Sequence, residues 1–303
     1  MSERETTETE PATTVRLYER EGAYIPRVAA VHDLCGYGKC SLGIAIPVLS
    51  AAGCDVCPVP TGLFSSHTAF PGWYMHDTTA MLPDYLAAWK NIGVEIDAVY
   101  SGFLGAPEQV DRIRDLYAMY PHALRVVDPV MADHGAVYPT YTPELCAAMT
   151  ELAAGADILT PNLTEAAIIL GEPIGEAWGG ENISDDEAHR LVDALVAKGA
   201  KNVVLKGIQR GDGVIRNFVG TQNGAFFEVS NELLPYMLHG TGDLYCSCLL
   251  AAVMAGRTLA GAVAFAGDFV HDAMIVSSKQ PAFQDRGVSF EPLIGRIAGL
   301  LSE

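Results

Sequence analysis

The sequence predicts an α/β fold, a mostly parallel sheet with helices on both faces, and three observations lead there. Short apolar runs of strand length alternate with helix-length segments from Arg27 to Lys206, the pattern of repeated βαβ units. Half of the 303 residues are hydrophobic and 18% are charged, ordinary globular usage that supplies a substantial core and excludes a disordered or fibrous chain. Neither an internal repeat nor a linker interrupts the chain. One large domain is therefore expected, although the length alone would also suit two.

The elements follow in order. Residues 27–31 form a short apolar strand, then comes the glycine-bearing turn Leu34-Cys35-Gly36-Tyr37-Gly38. Residues 41–52 are apolar and helix-length, and Pro47 must kink that helix or mark its first turn. Residues 55–61 read as a strand, and 62–73, with Phe64, His67, Phe70 and Trp73, as a loop or flap. A helix at 83–91 and a strand at 97–101 follow. Residues 107–120 are a charged amphipathic helix, and 124–128 a strand ended by Pro129. Residues 143–154 are helical, 157–160 a strand, and 163–170 a helix with Asn162 as cap. Ser184 caps 185–198, with Glu187 in the capping-box position, and 201–205 is again a strand. Asn223-Gly224 between 214–220 and 225–230 marks a hairpin. Helices are expected at 244–255, 259–277 and 291–301. Residues 1–22 read as a disordered acidic tail and 23–303 as a single domain.

Lys and Arg number 19 against 37 Asp and Glu, a formal net charge of −18. Such a surface repels phosphate backbones and anionic lipid, which argues against nucleic-acid and membrane partners. The start of the chain holds no apolar signal-peptide core, so a cytoplasmic location is expected. The seven cysteines form no zinc pattern: Cys54-x-x-Cys57 has no second pair behind it, and Cys246 and Cys248 sit in an apolar run.

Ligands of a parallel sheet gather at the carboxyl ends of its strands, so polar residues just past strands carry the functional reading. Gly240-Thr241-Gly242-Asp243 precedes an apolar helix. Its glycines permit a tight entrance turn, and the freed N–H groups with the helix dipole favour developing phosphate charge. Asp243 there could accept a proton, with the same N–H groups holding it ionised. Taken alone, the tetrapeptide fits a plain capping turn better, with Asp243 as the cap. Asp128 and Asp133 in one segment, and Asn162 and Glu165 in the next, place three acids and an amide at the same sheet edge, a composition that suits Mg²⁺. Lys206 ends its strand and could meet a phosphate or reach to solvent. Phe64-Ser65-Ser66-His67-Thr68 sets a polar group among aromatics, which suits a small heteroaromatic ligand and equally an ordinary packed loop. His32 reads as a structural histidine. Gly36-Tyr37-Gly38-Lys39-Cys40-Ser41 lacks the spacing of a phosphate loop and of a dinucleotide fingerprint.

Gly240 to Asp243, Asp128-Pro129-Val130-Met131-Ala132-Asp133, Thr160-Pro161-Asn162-Leu163-Thr164-Glu165 and the His67 segment together resemble the ribokinase superfamily, and within it the pyridoxal and pyridoxamine (vitamin B6) kinases. The resemblance spans residues 27 to about 281 and implies a ribokinase-like three-layer α/β/α fold. It implies ATP-dependent phosphorylation of the 5′-hydroxymethyl group of pyridoxal, pyridoxamine or pyridoxine. By the same resemblance Asp243 is the catalytic base, Gly240, Thr241 and Gly242 form the anion hole, and Asn162 and Lys206 lie near the phosphates. Asp128, Asp133 and Glu165 organise Mg²⁺, and a monovalent cation such as K⁺ is allowed. Asp33, Phe64, His67, Thr68 and Phe103 fall to the substrate, and the family implies a homodimer. The chain departs from the family pattern at Asp33, where a serine is usual, at Ser66 for asparagine and at Phe103 for tyrosine. Hydroxymethylpyrimidine kinases tend to carry cysteine where Asp243 stands. A sugar or nucleoside kinase of this fold and a non-catalytic vitamer-binding protein are the other readings.

Overall fold

The structure, a computed structural model, describes residues 14–174 and 183–302. Its first unit is β1 (Arg27–Cys35), α1 (Leu42–Ala51) and β2 (Asp55–Phe64), followed by β3 (Met75–Asp77), α2 (Leu82–Ile92) and β4 (Ala98–Ser101). Next come α3 (Pro107–Met119), β5 (Leu124–Val127), the small hairpin β6 (Ala132–Asp133) and β7 (Ala136–Val137), and α4 (Pro143–Ala153). β8 (Ile158–Leu159), α5 (Leu163–Leu170), α6 (Asp185–Ala197) and β9 (Asn202–Gln209) complete the alternation. The chain ends in β10 (Val214–Thr221), β11 (Phe226–Glu232), α7 (Thr241–Met254), α8 (Leu259–Ser278), α9 (Phe283–Arg286) and α10 (Ile294–Ala298).

Nine strands form one sheet in the order β11-β10-β9-β8-β5-β4-β1-β2-β3. The strands from β9 to β2 in that order run parallel, while β3, β10 and β11 pair antiparallel at the edges. After β2 the chain returns to the other side of β1, so the strand order reverses between β1 and β4. That switch point opens a crevice beyond the carboxyl ends of these two strands, where α/β sheets bind ligands.

Alternate strand residues feed two cores. Ala29, Val31, Val99, Val127, Leu159 and Val203 pack with α2 to α6 on one face. Val28, Ala98, Tyr100, Val126, Ile158 and Val204 pack with α1, α7, α8 and α10 on the other. The result is the three-layer α/β/α fold expected from the sequence. α8 is long and apolar enough to cross a membrane by length and composition alone, but it packs on α7 and β11.

Several boundaries differ from expectation for local reasons. β1 runs on to Cys35, because its polar end residues His32 and Asp33 are buried rather than solvated. β2 extends through Phe64, taking up the start of the expected flap, and pairs there with β3. The expected helix at 291–301 is broken into α10 between two short 3₁₀ turns, where Pro292, Gly295 and Gly299 weaken continuous helix. Pro47 lies inside α1. Of the expected tail, residues 1–13 lie outside the described residues. Beyond them, Val15 accepts the Leu259 N–H at 2.8 Å, and Leu17 and Tyr18 pack against the second core.

Candidate active site

The parallel register brings the ends of β1, β4, β5, β8 and β9 level. Asp128 N–H donates to Ser101 O at 2.9 Å, Thr160 N–H to Val127 O at 3.1 Å and Lys206 N–H to Pro161 O at 2.9 Å. Asp128, Thr160 and Lys206 thus follow one another along a single edge, where Asp128 and Lys206 were expected. Asp33 sits where the register of β1 against β2 shifts, between His32 and Leu34. It is only 6% exposed. Burial pushes its carboxyl up to about 6, opposed by a hydrogen bond from the Ser41 side chain.

Gly240 caps α7 in the left-handed region at φ 83°, and a Cβ there would stand 2.1 Å from Lys39 O. Only glycine allows this approach, which seats the turn before α1 against the entrance of α7. Asp243, in the first turn of α7, accepts the Ser41 N–H on Oδ2 at 3.0 Å. Its Oδ1 is buried and has no protein partner. The N–H groups at this entrance were expected to hold Asp243 ionised, but burial outweighs them. Desolvation first, then Asp128 and Asp33, raise its carboxyl to about 7 against the pull of Ser41 N–H and Lys206.

Lys206 is the cation of the site. Its Nζ lies 2.6 Å from Asp128 Oδ1 and 3.7 Å from the position of a Cβ on Gly242, so the ammonium faces the α7 entrance. Burial works against its charge, yet Asp128 and Glu165 together keep its pKa above the ordinary lysine value. Thr160 donates to Asp128 Oδ1 at 3.0 Å and also contacts Cys246 Sγ at 3.4 Å. Asp128 Oδ2 is left buried and unpartnered.

The expected metal trio does not assemble as a cage. Glu165 accepts the Asn162 N–H at 2.8 Å and the Met131 N–H at 3.3 Å, while its own N–H donates to Asn162 Oδ1 at 2.9 Å. It closes the capping box of α5, and both its oxygens are occupied by backbone. Burial, offset in part by Lys206 and reinforced by Asp128, raises its carboxyl to about 8. Asp133 stands half-exposed on the β6–β7 hairpin, where Oδ1 accepts the His134 N–H at 2.9 Å. Asn162 ties this hairpin to α5 through Ala132 O at 2.8 Å. Among the described residues, no three His, Cys, Asp or Glu side chains group as a metal-holding cluster. Asp128 Oδ2 and Asp133 still offer carboxylate oxygen at this edge, a donor set that fits Mg²⁺ carried mainly by water and phosphate.

The aromatic side is partly as expected. Phe64 meets Phe103 edge-on at 5.7 Å between centroids, and Phe103 meets Tyr141 likewise. His67 is buried, with its ring 4.4 Å from those of both Phe70 and His239. A Cβ on Gly38 would stand 2.1 Å from its Cδ2, so the flap, the Gly36–Gly38 turn and the segment before Gly240 converge on this imidazole. Thr68 is exposed. Ser41, Thr160, Tyr141 and His239 belong to the site but were not singled out from the sequence. Thr160 and Ser41 fall in segments quoted above, but no local signal gives any of the four a role, because each is recruited by a contact distant in the chain.

A sequence model of the family described as phosphomethylpyrimidine kinase matches residues 62–286. A pyridoxal kinase of Haemophilus influenzae is 31% identical over 248 residues, covering 76% of this chain and 82% of its own. A Bacteroides thetaiotaomicron protein, provisionally named a phosphomethylpyrimidine kinase and crystallised with pyridoxal, superimposes with a TM-score of 0.85 at 32% identity, covering 90% of this chain and 96% of that one. Pyridoxal kinase from Lactobacillus plantarum gives a TM-score of 0.83 at 28% identity, over 91% of this chain and 98% of that one. Sequence and fold agree: the chain belongs to the pyridoxal kinase family of the ribokinase superfamily.

Proposed function

We propose that the protein transfers the γ-phosphoryl group of ATP to the 5′-hydroxymethyl group of a B6 vitamer, yielding the 5′-phosphate and ADP. The observation that carries this reading is the free, buried Oδ1 of Asp243 at the entrance of α7, beside the Lys206 ammonium. A primary alcohol attacks phosphorus well only if its proton is taken as the new P–O bond forms. Asp243 accepts that proton, while the bond from the γ-phosphorus to the bridging oxygen breaks and ADP leaves. The N–H groups around Thr241 and Gly242, with Lys206, stabilise charge on the transferred group. Mg²⁺ would be held by the nucleotide phosphates, with Asp133 and Asp128 Oδ2 facing its water shell, and it supplies charge neutralisation between the phosphates.

Phe64, Phe103 and His67 offer an aromatic enclosure for the pyridine ring, with Asp33 at the switch-point crevice. The cytosol is the expected compartment. A homodimer is the expected assembly, supported by the exposed apolar side chains Leu63, Trp73 and Tyr74 near β2 and β3. The name of the matching family model favours one second reading, phosphorylation of a hydroxymethylpyrimidine. A transfer assay with ATP and Mg²⁺ against the three B6 vitamers and hydroxymethylpyrimidine decides. Highest kcat/KM on a B6 vitamer supports the proposal, preference for the pyrimidine replaces it with the second reading, and binding without turnover overturns both.

A further inference from the structure

Ser41 is one of three non-glycine residues with positive φ among the described residues. The other two, His134 and Ala282, lie in exposed turns, whereas Ser41 is 4% exposed. At φ 50° and ψ −128° it occupies a region that serine rarely populates. Strain of this kind persists only where surrounding structure imposes it. Here Lys39 O is wedged against Gly240 and Gly38 against the His67 ring, so the turn is fixed from two sides. The outcome is a contact across 202 positions of the chain, Ser41 N–H to Asp243 Oδ2 at 3.0 Å. The Ser41 hydroxyl does not cap α1. The side chain acts instead on the Asp33 carboxyl, whose pKa it lowers against the effect of burial.

We infer that Ser41 is a positioning residue for phosphoryl transfer: its constrained backbone N–H engages Oδ2 of Asp243 and leaves Oδ1 as the oxygen that meets the acceptor hydroxyl. The inference rests on Asp243 being the base of the proposed reaction. Four elements face that carboxylate: Ser41 from the start of α1, Asp33 from β1, Asp128 from the end of β5 and Lys206 from β9. Two of these are anions that disfavour its ionised form. The Ser41 N–H opposes them at a fixed point and fixes the orientation of the carboxylate, which Lys206 does not.

The test uses two measurements. Replacing Ser41 by its α-hydroxy acid analogue turns the Cys40–Ser41 amide into an ester, deleting the N–H while keeping side chain and backbone shape. The expected result is a kcat lower by about 10- to 100-fold with vitamer KM changed less than about threefold, as for a lost transition-state contact. Ser41→Gly keeps the N–H and accepts positive φ, so its kcat should fall clearly less than that of the ester. An ester variant with wild-type kcat, or a Gly variant as impaired as the ester, overturns the inference. The second measurement needs neither turnover nor the ester. In the wild-type protein the Ser41 amide proton resonance should titrate with Asp243, and Asp243→Asn should abolish that titration. A Ser41 amide indifferent to Asp243 overturns the inference even if the protein proves inactive on every vitamer, which would separately overturn the proposed function.

Discussion

Lys206 Nζ lies 2.6 Å from Asp128 Oδ1, and the pair is enclosed, with side-chain exposures of 13% and 1%. One ammonium therefore sits among three carboxyl groups, Asp128, Glu165 and Asp243, with a fourth, Asp33, close behind. Such a cluster holds more acid than one ammonium can balance. Burial and mutual repulsion answer by drawing protons onto the acids, which is why Asp33, Glu165 and Asp243 all titrate above the ordinary carboxylate range.

Removing the cation should expose this imbalance. Lys206→Met leaves Asp128 buried without its partner, a loss that typically costs about 3–5 kcal/mol. Denaturant unfolding should show that loss at neutral pH, and adding Asp128→Asn should recover much of it. A Lys206→Met protein as stable as wild type would mean that the pair is solvated and contributes little.

The raised acids also set the pH dependence of stability. Asp243 titrates near 7 when folded against an ordinary value of 3.8, so over that range the folded state binds more protons than the unfolded one. Its contribution is therefore most favourable below about 4, is lost as pH rises toward 7 and is level above. Asp33 and Glu165 act in the same direction, through about 6 and about 8 respectively. Asp243→Asn removes the penalty, so it should stabilise the protein more at pH 8 than at pH 5, by a difference of about 2–3 kcal/mol. Equal effects at the two pH values would show that Asp243 ionises normally in the folded protein.

Much of this architecture was legible from local pattern. The strand–helix alternation, the Asn223-Gly224 hairpin and the line of Asp128, Asn162 and Lys206 at one sheet edge all depend on residues near one another in sequence. The Asn162-x-x-Glu165 spacing is itself a capping-box signature, and the structure gives Glu165 that local role. What local pattern could not supply was long-range. The state of Asp243 depends on burial and on Asp33, Asp128 and Lys206, brought to it from distant parts of the chain, and Ser41 matters only because Gly240 lets the turn before α1 approach. The two-residue strands β6 and β7 are too short to leave a periodic signal.

His32 and Gly102 are shaped to one another. The imidazole is fully buried, 4.3 Å from the Tyr100 ring, with both nitrogens unpartnered, and burial pushes it down to about 3. A Cβ on Gly102 would stand 2.2 Å from His32 Nδ1. Gly102→Ala should therefore destabilise the protein by about 1–3 kcal/mol. In a His32→Ala background the same change should cost much less, since the clash is gone. Additive penalties would place the strain elsewhere.

Asp33 should govern the choice among vitamers. It is a buried carboxyl at the switch-point crevice, where a protonated amine or ring nitrogen gains a charge-assisted hydrogen bond. Asp33→Ser should change the order of kcat/KM values across pyridoxal, pyridoxamine and pyridoxine, with pyridoxamine losing most. An unchanged order would show that the side chain serves the fold rather than the substrate.

The last expectation concerns the proton taken from the acceptor hydroxyl. A base works only in its ionised form, and Asp243 reaches that form near pH 7 because burial and the neighbouring Asp128 and Asp33 hold its carboxyl up. A raised pKa also makes it a stronger base once ionised, which suits abstraction from an alcohol. The kcat/KM of wild-type enzyme should therefore rise about tenfold per pH unit below 7 and level above it. Asp243→Asn keeps the shape and can still receive the Ser41 N–H on its amide oxygen, but it cannot accept the proton. Its kcat should fall by about 10²–10⁴, the usual size of a general-base contribution, while nucleotide and vitamer dissociation constants change little. The acidic limb of the profile should vanish with it. A variant that keeps near-normal kcat would assign the base elsewhere, and one that keeps the limb near pH 7 would assign that titration to Asp33 or Glu165.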